Sequence, residues 1–206
     1  MGLFDKIKDQ AAGAPGNASG QAPGAAGQAQ SSAGGGNRSV PVVFASMPET
    51  LAEFTALPQG ALQSPFDTAA MIIAALCVYP LNKDECMAMI NYLRGPNPMS
   101  QRDIIFLRDR MAQNNKASFL GASYFNGATP QNEYTPSEPY TVIVSEHPYS
   151  YSSEGIVNLH IRSGGADSPR GVAVRLAKDG KWYLWQTDYH TLLLDIRAPE
   201  SRNPWA

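Results

Sequence analysis

The chain has few of the residues and motifs that carry catalysis or bind metals. It has two cysteines, Cys77 and Cys86, and three histidines, His147, His160 and His190, in 206 residues. No histidine lies in a His-x-x-x-His or His-Glu-x-x-His arrangement, so no local pattern predicts a metal site. Gly-x-Ser-x-Gly, a glycine-rich phosphate loop and Cys-x-x-Cys are also missing. We therefore predict no catalytic residue, no metal and no cofactor, and lean towards a non-enzymatic function.

An excess of charge of one sign and long apolar runs are missing as well. The formal net charge is −2, which leaves no basic excess to neutralise phosphates and argues against a nucleic-acid partner. The longest apolar stretch, 69–79, is about half the roughly 20 residues that a membrane-spanning helix needs, and it predicts a core helix. The first residues alternate apolar and charged side chains, unlike a secretory signal.

Cysteine usage bears on the compartment. Two cysteines without a secretory signal argue for a reducing environment, so we expect a cytoplasmic protein. Both cysteines fall within helical patterns, one on each side of Pro80. Two buried free thiols are the simpler interpretation, and a disulfide between Cys77 and Cys86 is the alternative.

What the sequence does contain is an abrupt change of composition near residue 40. Residues 10–37 are almost entirely Gly, Ala, Gln, Ser, Asn and Pro. Such a segment cannot bury enough apolar surface to offset the entropy of ordering it. As a flexible tether it would span roughly 30 Å on average. We therefore divide the chain into a short amphipathic peptide at 1–9, a disordered linker at 10–39 and one globular domain at 40–206.

The N-terminal peptide carries a small apolar face. Leu3, Phe4 and Ile7 are spaced to share one side of a helix. Two turns of helix are not stable alone in water, so the peptide either frays or folds against a partner. Docking to a partner protein, contact with a membrane surface and the absence of any role remain open. Membrane contact is the least favoured, because so few residues would be buried.

The first half of the domain shows helix starts. Ser64 followed by Pro65 predicts the N-terminus of a helix that is apolar around much of its girth and central to the core. Asn82, with Glu85 three residues later, predicts the next helix in the manner of a capping box. Ser100 predicts another, and a shorter helix is expected before them. The sequence thus predicts three to four helices ahead of the strands.

From Ser118 onward the apolar period changes from helical to alternating, which predicts strands. The predicted strands are 140–145, 156–162, 171–178 and 190–196, with 40–44 as a short strand or extended entry segment. Asp179-Gly180 predicts a two-residue hairpin turn that would place Val174 opposite Trp185. The expected fold is α+β, with three to four N-terminal helices packed on a C-terminal antiparallel sheet of about four to five strands.

A long polar loop, 125–140, separates the helices from the strands. Loops of this length are unusual in compact domains and are often functional, although an Ω-type loop packed by its own prolines and tyrosines is the simpler explanation. The segments SYFNGATPQNEYTPSEPYTV and KDGKWYLWQ resemble a family of uncharacterised bacterial proteins, a domain of unknown function. The resemblance covers about 41–199 and implies a single bacterial domain, with no activity, ligand or site residue attached.

Aromatic side chains around this loop and beyond the first predicted strand of the meander suggest a recognition surface, although they also suit an ordinary sheet. The candidate interaction residues are Leu3, Phe4, Ile7, Tyr124, Asn126, Tyr134, Tyr149 and Tyr151. We expect a non-enzymatic, tethered interaction module with an unidentified protein partner. The alternative is a small-molecule-binding or enzymatic domain with a closed apolar pocket between helices and sheet, into which His160 or Arg175 reaches.

Overall fold

The computed structural model describes residues 2–11, 38–186 and 188–202, so most of the predicted linker lies outside the described residues. Within these ranges the α-helices are α1 (Leu3–Ala11), α2 (Leu51–Ala56), α3 (Pro65–Val78), α4 (Lys83–Arg94) and α5 (Gln101–Ala112). The strands are β1 (Ser39–Phe44), β2 (Tyr140–Ser145), β3 (Ile156–Ile161), β4 (Arg170–Leu176) and β5 (Trp182–Leu184). No helix in the described ranges is both long and apolar enough to cross a bilayer.

The strands form one antiparallel sheet in the order β1-β2-β3-β4-β5. The predicted α+β class and the antiparallel sheet are confirmed. Four of the strands lie in the C-terminal half of the chain, as expected. β1 instead precedes the helices of the domain and pairs with β2 along its whole length, from Ser39 opposite Ser145 to Phe44 opposite Tyr140. The segment 40–44 is therefore a strand and not merely an entry segment.

Helix α3 organises the core. Every residue from Thr68 to Val78 is buried, and α3 contacts all five strands. Helix α4 packs chiefly on α3, and its contact with the sheet is mainly at β5. Helices α2 and α5 pack chiefly on other helices and turns. The prediction that three to four helices pack on the sheet is therefore too broad, because α3 supplies most of the contacts to the strands and α4 adds a smaller share at β5. Only α3 is apolar on all sides, whereas an amphipathic helix has a single face to bury.

The predicted helix starts are confirmed, with one difference. The side chains of Ser64, Asn82 and Ser100 accept hydrogen bonds from the first backbone N–H groups of α3, α4 and α5. The capping box expected at Asn82 is not formed by Glu85. The Glu85 carboxylate instead accepts a 2.6 Å hydrogen bond from Leu51 N, which ties α4 to the start of α2.

The β4–β5 turn is one residue longer than predicted. Ala177 N donates a 2.9 Å hydrogen bond to Lys181 O, which closes a three-residue loop at 178–180. The last residue of this loop, Gly180, has φ +79°. Three-residue hairpin loops commonly close in this way, with a left-handed residue at the end of the turn. Val174 therefore pairs with Leu184 and not with Trp185. A shift of one residue moves every following side chain to the opposite face of the sheet.

The strand predicted at 190–196 is wrong. The chain forms a 3₁₀ helix at Asp188–Leu193, in which Tyr189, Leu192 and Leu193 are buried. Apolar residues three apart face the same side of a 3₁₀ turn, so this spacing suits the turn at least as well as a strand.

Candidate functional site

The apolar face of α1 is buried against the domain of the same chain. Leu3, Phe4 and Ile7 are 3%, 6% and 5% exposed. The helix begins at a local cap, where Gly2 N donates to the Asp5 carboxylate at 3.0 Å. Folding against its own domain was not among the possibilities that the sequence left open for this peptide. The structure shows this further arrangement.

Phe4 supplies the central contact. Its ring meets Phe125 with centroids 5.4 Å apart and Tyr140 with centroids 4.9 Å apart, both in edge-to-face geometry. Phe125 is itself in edge contact with Phe44 in β1 and with Tyr140. Aromatic rings favour this arrangement, because the positive edge of one ring meets the negative face of the next. Phe4 thus completes an aromatic cluster that belongs to the domain.

Two lysines of α1 make polar contacts at the margin of this cluster. Lys6 Nζ lies 2.7 Å from the Glu49 carboxylate, with the side chains 42% and 35% exposed. Lys8 Nζ donates to Thr135 Oγ1 at 2.8 Å. Exposed pairs of this kind contribute about 0.2–1 kcal/mol, so they orient α1 more than they hold it. We call Glu49, Phe125, Thr135 and Tyr140 the α1-binding surface.

The C-terminal end of α1 lies beside the helices. Ile7 lines a small cavity of about 290 Å³ together with Tyr79, at the end of α3, and Met111, in α5. Helix α1 also contacts the 3₁₀ turn Gln113–Ser118, which follows α5. The helix therefore bridges the long loop on one side and the α3–α5 end of the domain on the other.

The long loop that receives Lys8 is packed as an Ω-type loop. Tyr134 is buried, its ring stacks on Phe119 with centroids 5.4 Å apart, and its hydroxyl donates to Arg197 O at 2.7 Å. Burial raises the pKa of Tyr134 to about 12. The Asn132 side chain accepts from two backbone N–H groups of the loop and donates to two of its carbonyls. The loop is thus a well-supported platform beside α1.

The other candidate residues are distributed differently. Tyr124 is buried, and its hydroxyl donates to a backbone carbonyl at 2.7 Å. Asn126 is exposed and sits at the base of the loop, where its N–H pairs with β2. Tyr149 and Tyr151 are 72% and 61% exposed in the β2–β3 connection. That connection leaves β2 at the end opposite Tyr140, so the structure does not bring these two tyrosines to α1.

Most of the α1-binding surface could not be predicted from the sequence. Phe125 and Tyr140 flank the loop in sequence, which is a usable signal, but isolated aromatic residues at the start of a strand are typical of any core. Glu49 and Thr135 carry no signal, because nothing local shows that a lysine from the N-terminal peptide will reach them.

A buried polar cluster joins α4 to α5. Arg94 Nη1 lies 2.9 Å from Asp103 Oδ2, which also accepts from the backbone and hydroxyl of Ser100. His190 Nε2 lies 3.7 Å from the other carboxylate oxygen. Burial alone would raise the pKa of Asp103, but the Ser100 hydrogen bonds and the charges of Arg94 and His190 outweigh it and lower the pKa. The cluster caps α5 and pairs a buried charge, which is a structural role.

The described residues give little support to metal binding or to catalysis by a thiol. No group of three or more His, Cys, Asp or Glu side chains there is placed to hold a metal ion. Cys77 and Cys86 are both buried and free, and burial raises the pKa of each thiol well above its usual value. A thiol in such an environment stays protonated at neutral pH and is a poor nucleophile.

The closed pocket considered as the alternative is filled. Helix α3 contacts all five strands, and its residues Met71, Ile72 and Leu76 are fully buried. His160 lies beside a cavity of about 230 Å³ at the far end of β2, where its ring stacks on another histidine. Arg175 lies on an open groove by the β4–β5 hairpin. Both cavities are open to solvent, so neither side chain lies in the closed apolar pocket that was expected.

No curated protein and no solved structure matches the chain. A family model described as "Domain of unknown function (DUF6935)" matches residues 46–200. The matched span contains α2 to α5 and β2 to β5, together with the whole α1-binding surface, and it leaves out α1 and β1. Since the match extends over well more than half of the chain, the protein belongs to the DUF6935 family of domains of unknown function.

Proposed function

We propose that this protein is a non-enzymatic interaction module that binds a short amphipathic helix on its α1-binding surface, with α1 as the internal occupant of that surface. The observation that carries the proposal is the burial of Leu3, Phe4 and Ile7 against residues of the family domain. Laying the apolar face of a helix into an apolar surface is a recurrent mode of peptide recognition. The α1-binding surface lies within residues 46–200, which the family model matches, whereas α1 lies outside them.

The docking of α1 on its own domain is weak enough for a partner helix to take its place. Burying three large apolar side chains stabilises by about 1.5–3 kcal/mol each. The entropy cost of ordering the backbone of nine helical residues opposes this gain, and the helix is too short to be stable by itself. The two lysine contacts add little because they are exposed. We therefore expect α1 to depend on its covalent linkage, which supplies an effective concentration in the millimolar range.

The proposed partner follows from the contacts. It presents apolar side chains at the spacing of Leu3, Phe4 and Ile7, so that one aromatic ring enters the Phe125–Tyr140 cluster. A cationic side chain two residues after the aromatic one would meet Glu49, as Lys6 does. The partner is then a protein with an exposed or terminal amphipathic helix, and we propose that the encounter takes place in the cytoplasm.

A peptide exchange experiment tests this function. A fluorescent peptide of residues 1–11 is titrated into the full chain and into its Phe4→Ala variant, with anisotropy as the readout. We expect tighter binding to the variant, because its own α1 no longer competes. A peptide carrying the same Phe4→Ala change is the control and should bind neither chain. A folded Phe4→Ala chain that fails to bind the unaltered peptide even at millimolar concentration would refute the proposal.

A further inference from the structure

A second concave surface lies between the C-terminal turn of α4 and the β4–β5 hairpin. It encloses about 650 Å³, within the 300–1,000 Å³ that is usual for small-molecule sites. It shares no residue with the α1-binding surface. We call it the hairpin groove, and its lining residues are 94–97, 175–179 and 183–185.

The hairpin groove has an excess of positive charge in a chain whose net charge is negative. Within the described part of the chain, no carboxylate lies within ion-pair distance of Arg175 or Lys178. The one acidic residue of the lining, Asp179, accepts a 2.8 Å hydrogen bond from the Tyr183 hydroxyl and keeps its negative charge. Arg94 is neutralised by its buried carboxylate partner. Outside the Arg94–Asp103 pair, Arg175 and Lys178 outnumber Asp179 in the lining, so the groove keeps an excess of one positive charge for an incoming anion.

Apolar and aromatic surface adjoins these cations. The Arg175 guanidinium lies over the Trp185 ring, 4.2 Å from its centroid, which fixes the long side chain in place. The Tyr183 ring packs so closely on Gly95 that a Cβ there would lie 2.4 Å from it. A flat apolar body can lie on this wall with its charged end next to Arg175.

We propose that the hairpin groove binds a small organic anion with a planar apolar body. The anionic group pairs with Arg175 and Lys178, and the body lies against the Tyr183 ring, which is on the same face of the sheet as Arg175. The guanidinium presents a planar fork of donors that matches a carboxylate or a phosphate in two parallel hydrogen bonds. Carboxylic acids and phosphate esters share this chemistry.

The test uses 8-anilinonaphthalene-1-sulfonate, an aromatic anion, with the full chain. Amide and indole NMR shifts locate the site, and we expect the Trp185 indole N–H to move. The double variant Arg175→Gln/Lys178→Gln should bind at least about tenfold more weakly, since hydrogen bonds to charged groups are the stronger class. Shifts confined to other surfaces, or unchanged affinity in this variant, would overturn the proposal.

Two controls separate charge from apolar contact. Arg102→Gln/Arg108→Gln removes two exposed cations from α5 and should leave the affinity unchanged. The uncharged analogue N-phenyl-1-naphthylamine should bind at least about tenfold more weakly than the sulfonate, and equal affinity would refute the anionic part. Displacement by phenyl phosphate but not benzoate assigns a phosphate ester, and the reverse assigns a carboxylic acid. Displacement by neither would count against the proposal.

Discussion

The ring of Phe4 lies edge-on against the ring of Tyr140, with centroids 4.9 Å apart, and so joins the first helix of the chain to the first residue of β2. A second contact, from Lys8 to Thr135, joins the same helix to the long loop that precedes β2. The amphipathic N-terminal peptide and the long loop are separate candidates in the sequence. In the folded chain they touch, which makes the surface between them the main target for experiment.

Replacing Phe4 by alanine should release α1 from the domain. The change removes a buried aromatic side chain, and the full loss for such a truncation is about 3–5 kcal/mol, which exceeds what we expect for the docking of this helix. Hydrogen exchange followed by mass spectrometry should therefore show that the amides of 2–11 lose their protection. Protection that persists in the variant would mean that other contacts hold the helix.

Lys6→Ala is the matched change for the polar margin. The ion pair with Glu49 is more than a third exposed on both sides, so its loss should weaken docking by no more than about 1 kcal/mol. The amides of α1 should stay largely protected, with a modest dependence on salt. An effect as large as that of Phe4→Ala would show that charge, and not aromatic burial, dominates the docking.

Two glycines with positive φ differ in what a side chain would meet. Gly95 and Gly180 have φ of +55° and +79°, and Gly95 combines this φ with ψ −117°, outside the left-handed helical region. A Cβ at Gly180 meets nothing within 4 Å, whereas one at Gly95 would lie 2.4 Å from the Tyr183 ring. In urea unfolding, Gly95→Ala should be more destabilising than Gly180→Ala by about 1–3 kcal/mol. Equal losses would contradict the close approach of the ring.

Asp103→Asn should change both the stability and its dependence on pH. Removing one charge of a buried pair leaves Arg94 without its partner and costs about 3–5 kcal/mol. Because the folded pKa of Asp103 lies below its ordinary value of 3.8, its stabilisation is present above pH 3.8 and is lost as the pH falls through the folded pKa.

Urea unfolding at a series of acidic pH values measures this effect. The difference in unfolding free energy between the wild type and Asp103→Asn should be largest near neutrality and should shrink as the pH falls below 3.8. Asp109→Asn, on the exposed side of α5, is the control and should give a difference that is small at every pH. A gap for Asp103→Asn that stays constant with pH would contradict the lowered pKa.

The two thiols should be unreactive in the folded protein. Cys77 and Cys86 are buried and free, and burial raises the pKa of both. A disulfide reagent such as Ellman's reagent should label neither at mildly alkaline pH and both after denaturation without a reductant. Rapid labelling of the folded chain, or no labelling after denaturation, would contradict the buried dithiol state.

Much of the local structure could be predicted because it depends on neighbours. Ser64 and Ser100 cap their helices through residues two or three positions away, and the alternation along β3 shows directly in its sequence. The β4–β5 turn could not be placed as surely. Asp179-Gly180 suits a two-residue or a three-residue loop, and the packing of Val174 with Leu184 on the core side selects the longer one.

The sequence by itself determined that α1 has an apolar face, that α3 is apolar all round and that the second half alternates as a sheet, because each of these is set by side chains a few positions apart. The tertiary structure decided where α1 docks. Phe125 and Tyr140 become one surface only when the loop closes and β1 pairs with β2. The tertiary structure also decided that Arg175, in β4, lies over Trp185, directly after β5. This contact depends on the register between the two strands, which neither strand sets alone.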